Sequence, residues 1–494
     1  MKRILKINSS DNVAVVLSDD VRKGELFEGV ELLGDVARGH KFALCDIPCG
    51  SKVVKYGYPI GIATRDIAAG EWVHTHNLST SLGDDLRYEY HPRGAADSAV
   101  PQGPCPSVNG YLRHDGSMGI RNELWIIPTV GCVNGSASAI AGRISEECDA
   151  ETVDDVRAFT HNYGCSQLGE DHANTRRALA ALARHPNAGG VLVLGLGCEN
   201  NRLDALREEM GDFDSSRVRF LSAQDVGDEV EAGVAVCRDL LENMRRDRRQ
   251  PLPVSLLKVG LKCGGSDGLS GITANPLVGR FSDWLVGCGG TSVLTEVPEM
   301  FGAETILMDR AADADVFGDI VRLINDFKGY FRSYGQPVYE NPSPGNKDGG
   351  ISTLEEKSLG CVQKGGHARV VGVVGYARPL HKPGLNLLQA PGNDLVASTA
   401  LALSGCQIVL FTTGRGTPFG TFVPTLKIST NTPLWQRKRN WIDFNAGEII
   451  NSESFGSALD RLVEKVLATA NGEPVRQEVN GAREIAIFKT GVTL

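Results

Sequence analysis

A chain of 494 residues, 41% apolar and 22% charged, is long enough for about three domains with cores of their own, which excludes a largely disordered chain. A net charge of −9 and a pI near 5.7 exclude the basic footprint of a nucleic-acid binder. The longest apolar runs, such as 191–194, fall far short of the roughly 20 residues that cross a bilayer, and Asn8, Ser9, Ser10, Asp11 and Asn12 break the apolar stretch an export signal needs.

The expectation is therefore a cytoplasmic protein with no nucleic-acid or membrane partner. Residues 1–80 read as all-β: short β-branched or aromatic segments at 13–17, 52–55 and 72–76 are punctuated by turns such as Lys23-Gly24, Arg38-Gly39 and Ala69-Gly70. The stretch 81–108 is dense in Pro and Gly and reads as a linker. From 109 the texture becomes α/β, with apolar strands at 124–130, 191–196, 254–261 and 292–295 and helices at 174–184, 228–245 and 312–329. A glycine-rich region at 341–364 precedes further buried strands at 370–376 and 408–412. A boundary near 275 divides two α/β regions, 109–275 and 276–494. The fold class is multidomain α/β, an all-β module followed by two regions with mainly parallel sheets.

Twelve cysteines are too dilute for a disulfide framework and are expected reduced, with a subset serving as ligands or in catalysis. Four of them, Cys132, Cys165, Cys198 and Cys263, stand beside glycine where an apolar strand gives way to a loop. The carboxyl ends of parallel strands form the ligand crevice of such sheets, and thiolates suit soft or borderline metals including iron. Free cysteine is also among the most buried residue types, so packing explains the same pattern. In the β module, His74 and His76 of His-Thr-His-Asn would share one face of a strand and make half a metal site, with His40 of Gly-His-Lys as a further imidazole. Two surface histidines are the plainer alternative.

Two segments are suited to anions. Lys347 follows Asn341-Pro-Ser-Pro-Gly-Asn346, and Arg415 lies in Thr412-Thr413-Gly414-Arg415-Gly416-Thr417 directly after a strand. Glycines let backbone N–H groups approach a ligand, and arginine grips a carboxylate with two bonds. Ordinary turns with a surface ion pair would look alike. Asp267, Glu296 and Glu299 are candidate acid–base groups or ligands, or else caps. No G-x-G-x-x-G or P-loop pattern stands in the right context, so no nucleotide cofactor is expected.

The stretches DNVAV, DVARGHKFAL, HTHN, RNELWIIPTVGCVNG, YGCSQLGEDH, GLGCENN, CGGSDGLSGITANP, TEVPEMFGAE, YENPSPGNK, KSLGC, TTGRGTPFG and AIFKTGVTL, in this order and spread over essentially the whole chain, closely resemble the altronate/galactarate dehydratase family. The resemblance implies an N-terminal SAF (β-clip) domain at 1–80. It implies ferrous iron, with manganese as a supplement, and a hydro-lyase reaction from D-altronate to 2-dehydro-3-deoxy-D-gluconate. Galactarate is a rival substrate, as is sulfolactate for related sulfo-lyases, and a non-catalytic sugar-acid binder is the rival of another class. Joined to the residues, this places iron on His74 and His76, with His40 as ligand or acid–base group. Lys347 and Arg415 then hold the substrate and Glu296 transfers protons. Asn77, Asp267, Asn346, Thr413, Gly414 and Thr417 are expected to line the substrate. The alternative puts the metal on Cys132, Cys165, Cys198 and Cys263. A homodimer is expected from the prevalence of two-fold assemblies.

Overall fold

The computed structural model describes residues 3–83, 87–92, 104–148, 153–451 and 453–491. The first stretch is all-β. Ile4–Leu5, Val13–Val16, Lys41–Ala43 and Trp72–Val73 form one antiparallel sheet, and Lys52–Lys55, Tyr58–Ala63 and Leu78–Ser79 form another. The strand Val13–Val16 is buried at every position, and Ala14 and Val16 share a small core with Phe42, Leu32 and Val36. Of the linker expected at 81–108, residues 84–86 and 93–103 lie outside the described residues. Its described part lies against the C-terminal region, where the Tyr88 hydroxyl donates to Glu304 Oε1 at 2.7 Å.

The second region is built on a four-stranded parallel sheet, in the order Val156–Ala158, Glu123–Pro128, Ala188–Gly195, Val218–Ser222. Ala188–Gly195 is buried throughout, as a strand covered by helices on both faces must be. The expected helices appear as Gly169–Ala183 and Glu229–Met244. The latter begins where the Asp228 carboxylate accepts from the backbone N–H groups of Val230 and Glu231.

The third region carries a seven-stranded, wholly parallel sheet, ordered Val370–Val374, Gly384–Leu388, Thr291–Leu294, Lys258–Cys263, Ile408–Thr413, Thr425–Ser429, Phe444–Asn445. Its central strand is Lys258–Cys263, so the boundary expected near 275 falls inside this sheet. The chain passes to the third region before that strand, because the strand hydrogen-bonds only to Thr291–Leu294 and Ile408–Thr413. A second correction concerns the cysteines: Cys105 and Cys288 form a disulfide, with Cα atoms 5.6 Å apart, while ten remain free. The second and third regions share one apolar cluster that includes Trp125, Phe159, Leu388 and Phe422. The chain end reinforces it, with the buried Arg483 guanidinium donating to Glu123 Oε2 at 2.6 Å. No helix among the described residues is long and apolar enough to cross a membrane.

Candidate active site

Topology fixes where a ligand crevice opens. From Lys258–Cys263 the chain crosses to Thr291–Leu294 on one side, whereas Ile408–Thr413 leads to Thr425–Ser429 on the other. Two adjacent strands whose connections depart in opposite directions leave a gap at their carboxyl ends. The segments there are Cys263-Gly264-Gly265 and Thr412-Thr413-Gly414-Arg415, two of the motifs legible in the sequence. Gly414 N and Arg415 N both donate to Gly265 O at 3.1 Å, which joins them.

Beneath this gap lies a buried ionic cluster. Lys262, in the central strand Lys258–Cys263, is fully buried. Its ammonium donates to Glu296 Oε1 through a short contact and to Asp394 Oδ1 at 2.8 Å. Lys364 Nζ donates to Glu296 Oε2 at 2.8 Å and to Cys263 Sγ at 2.7 Å. Lys357 Nζ reaches Glu299 Oε1 at 2.8 Å. Glu299 Oε2 lies 3.1 Å from Cys361 Sγ and 3.4 Å from Cys263 Sγ, and the two sulfurs are 3.2 Å apart. Three lysines thus balance three carboxylates. Asp394, with a 35% exposed side chain, is the member that reaches solvent.

The two glutamates follow the strand Thr291–Leu294. Glu296 occupies the left-handed region (φ 69°), a conformation that non-glycine residues hold only when their surroundings impose it, and Val297–Glu299 forms a single 3-10 turn. Burial and the neighbouring Glu299 push the Glu296 carboxyl above the ordinary range, against the pull of Lys262 and Lys364. Burial alone would raise Glu299 too, but Lys357, Lys262 and Lys364 outweigh it and hold Glu299 well below that range. Adjacent carboxyls driven apart in this way are the usual mark of one proton carrier beside one permanent anion.

Cys263, Glu299 and Cys361 present ligand atoms all within 4.8 Å of one another, the one such triad among the described residues. Two thiols and a carboxylate suit a borderline divalent ion. Charge agrees: with neutral thiols the cluster sums to zero, and exchanging two thiol protons for one divalent cation keeps it at zero. The site therefore fits a metal such as iron.

The β module covers the neighbouring segment. His40 Nε2 faces Asp348 O at 3.2 Å and His74 Nε2 faces Lys347 O at 3.0 Å, contacts in which a ring N–H donates to each carbonyl. Trp72 Nε1 donates to His40 Nδ1 at 3.2 Å and its ring stacks on His74. Burial, with Lys41 and His40 nearby, pushes His74 down to about 4, so its imidazole is neutral at physiological pH. Deeper in the same interface, Glu356 accepts from Lys41 Nζ at 2.8 Å and Lys55 Nζ at 2.7 Å.

The strand expected through His76 ends at Val73, and residues 74–77 form a turn because Asn77 Oδ1 accepts from His74 N at 2.9 Å. His74 is buried and His76 exposed, so the two do not share a strand face. Asn77 stabilises that turn. Asp267 is half-buried and accepts from Thr430 Oγ1 at 2.9 Å and Asn431 Nδ2 at 3.1 Å. Thr413 Oγ1 accepts from Gly416 N at 2.8 Å, Thr417 Oγ1 accepts from Phe419 N at 3.3 Å, and Gly414 is buried. Asn346 links rim to cluster, donating to Ser266 O at 2.9 Å and accepting from Lys357 Nζ at 3.2 Å. Lys347 is half-buried and Arg415 exposed at the rim. Cys132, Cys165 and Cys198 are all exposed in the second region, apart from Cys263.

Sequence reasoning missed Lys262, Lys357, Cys361, Lys364 and Asp394. A signal existed for two of them: Lys357 and Cys361 of KSLGC stand four apart in the helix Leu354–Cys361, hence on one face.

Comparison with known proteins agrees with this division. Residues 2–81 match the altronate/galactarate dehydratase SAF domain, 110–245 the second domain of D-galactarate dehydratase/altronate hydrolase, and 254–493 the C-terminal domain of D-galactarate/altronate dehydratase. The chain is 55% identical to an altronate dehydratase of Bacillus subtilis over 100% of both chains. It is 55% identical to an altronate dehydratase of Escherichia coli over 99% of both. To the galactarate dehydratase (L-threo-forming) of Escherichia coli it is 34% identical over 91% of this chain and 89% of that one.

Proposed function

This chain belongs to the D-galactarate/altronate dehydratase family, and on that premise we propose that it is a hydro-lyase converting D-altronate to 2-dehydro-3-deoxy-D-gluconate and water. The observation that carries the chemistry is the pair Glu296 and Glu299, buried side by side with opposite proton affinities at the crevice of the large sheet. The relatives named altronate dehydratase favour altronate among the sugar acids.

The proton at C2 of an aldonate is weakly acidic, so its removal needs positive charge near the carboxylate and a base within reach. Glu296 takes that proton, with Lys262 and Lys364 holding its carboxylate in place. As the C2–H electron pair forms the C2=C3 bond, the C3–O bond breaks and the hydroxyl leaves with a proton as water. The enol then ketonises to the 2-keto acid. Arg415 and Lys347 at the rim grip the substrate carboxylate and hydroxyls, and His40, neutral and buried beside that rim, is a second acid–base group. Cys263, Cys361 and Glu299 would hold the ion, in preference to His74 and His76. A bound divalent cation supplies Lewis acidity toward the carboxylate and 2-hydroxyl. Iron is our assignment, with manganese as a substitute, in a cytoplasmic homodimer.

The test is an anaerobic assay of ferrous-iron-loaded protein with D-altronate, following 2-keto-3-deoxy acid, with galactarate and sulfolactate in parallel. Altronate turnover that ceases on chelation is expected. Activity on another acid alone would discard the substrate but keep the elimination, and no activity on any of the three would overturn the reading.

A further inference from the structure

The second region has a crevice of its own. Glu123–Pro128 leads to Val156–Ala158 on one side of the sheet, whereas Ala188–Gly195 leads to Val218–Ser222 on the other. These two central strands therefore part at their carboxyl ends, the arrangement that opens a ligand crevice. Cys132, Cys165 and Cys198 follow three adjacent strands at this end. All three are exposed, whereas Cys237, Cys263, Cys361 and Cys406 are buried as free cysteine usually is.

Hydrogen bonds bind the three loops into one surface. Gly131 N, beside Cys132, donates to Tyr163 O at 3.0 Å. On either side of Cys165, Gly164 O accepts from Asn201 N at 2.9 Å and Ser166 N donates to Asn200 Oδ1 at 2.9 Å. Thr129 Oγ1 donates to the buried carboxylate of Glu199 at 2.5 Å, which ties the Cys132 loop to the Cys198 loop. Gln224 Nε2 donates to Cys198 Sγ at 3.5 Å. Each thiol also precedes a helix, namely Asn134–Glu147, Gly169–Ala183 and Leu203–Met210, and helix N-termini favour negative charge.

One ion would need three close sulfurs, yet these three do not fall within the 4.8 Å that Cys263, Glu299 and Cys361 satisfy. A polynuclear cluster spreads its thiolates over separate irons. We propose that Cys132, Cys165 and Cys198 ligate an iron–sulfur cluster of the four-iron class, its remaining iron taking a non-cysteine ligand. Each Fe–S(Cys) bond formed displaces one thiol proton to solvent. The proposal does not rest on the function assigned above, because it uses other thiols in another region.

The test is anaerobic reconstitution of the full chain with sulfide and equal parts of ferrous and ferric iron, a mixture that assembles such a cluster without net oxidation. Bound iron, acid-labile sulfide and visible absorption are then measured. Expected is bound sulfide with broad visible absorption in the wild type and in Cys263→Ser. Both signals should be lost in each of Cys132→Ser, Cys165→Ser and Cys198→Ser, whose exposed side chains leave the fold intact by circular dichroism. Iron bound without labile sulfide would overturn the proposal, as would sulfide retained in the triple serine variant.

Discussion

Cys263 and Cys361 stand 98 residues apart in the chain, yet their sulfurs lie 3.2 Å from each other and share one carboxylate oxygen of Glu299. A strand end and a helix end deliver them to the same buried point. If they hold a divalent ion, Cys263→Ser or Cys361→Ser weakens its binding by on the order of tenfold or more, since even partners of ligands contribute that much. Metal competition with a chromogenic chelator measures this, and unchanged affinity in both variants would remove the ion from this site.

Glu296 and Glu299 should separate by phenotype. Glu296→Gln preserves shape but cannot accept a proton, so kcat falls by roughly 10²–10⁴-fold while bound metal stays constant. Glu299→Gln loses metal first. The pH profile adds a sign: a base must be deprotonated, so activity falls as pH drops through the Glu296 value, which burial and Glu299 set above the ordinary carboxylate range. A wild-type acid limb lying within that ordinary range would argue against Glu296.

Glu356 joins the β module to the large domain through Lys41 and Lys55, all three fully buried. Burial works to raise its carboxyl, but the two ammonium groups prevail and hold it at about 2, against an ordinary 4.5. A depressed folded value means that its stabilisation is complete above the ordinary value and is lost as pH falls from there toward 2. Glu356→Gln leaves two buried cations without their anion and costs on the order of 3–5 kcal/mol. Thermal unfolding between pH 3 and 7 tests both statements. A variant as stable as wild type at pH 7 would refute them.

Gly264 leaves no room for a side chain. A Cβ there would lie 2.5 Å from both carboxylate oxygens of Asp394 and 2.6 Å from Phe411 Cζ. Gly264→Ala should therefore destabilise the protein by about 1–3 kcal/mol and displace Asp394 from Lys262. Differential scanning calorimetry together with kcat is the measurement, and an unchanged Tm would show that the loop can yield.

Arg415 reaches solvent at the rim. Replacing it by alanine should raise KM by roughly 10–100-fold, the worth of one charged hydrogen-bond partner, with little change in Tm. A fall in kcat at constant KM would instead place the guanidinium near the breaking bonds.

The strand expected at 254–261, which the structure places at Lys258–Cys263 after a 3-10 turn over Val254–Leu256, and the Thr412–Arg415 turn were legible because buried parallel strands leave apolar runs that end in glycine. The helices Gly169–Ala183 and Glu229–Met244 were legible as the stretches that alternate with those apolar strands. His74 and His76 were misread as a strand pair, because an asparagine three residues on, whose side chain bonds back to the His74 N–H, outweighs β-branched propensity. The boundary near 275 was misplaced because a central strand of one parallel sheet reads locally like a strand of another.

By itself the sequence determined the class of fold, the all-β start and the places where chemistry-bearing loops leave their strands, since these follow from local periodicity and glycine placement. Only the tertiary structure decided which loops meet. Lys262, Lys357 and Lys364 acquire their role only when strand order and a helix face bring them onto Glu296 and Glu299, because burial and pairing belong to the fold and not to any stretch of chain.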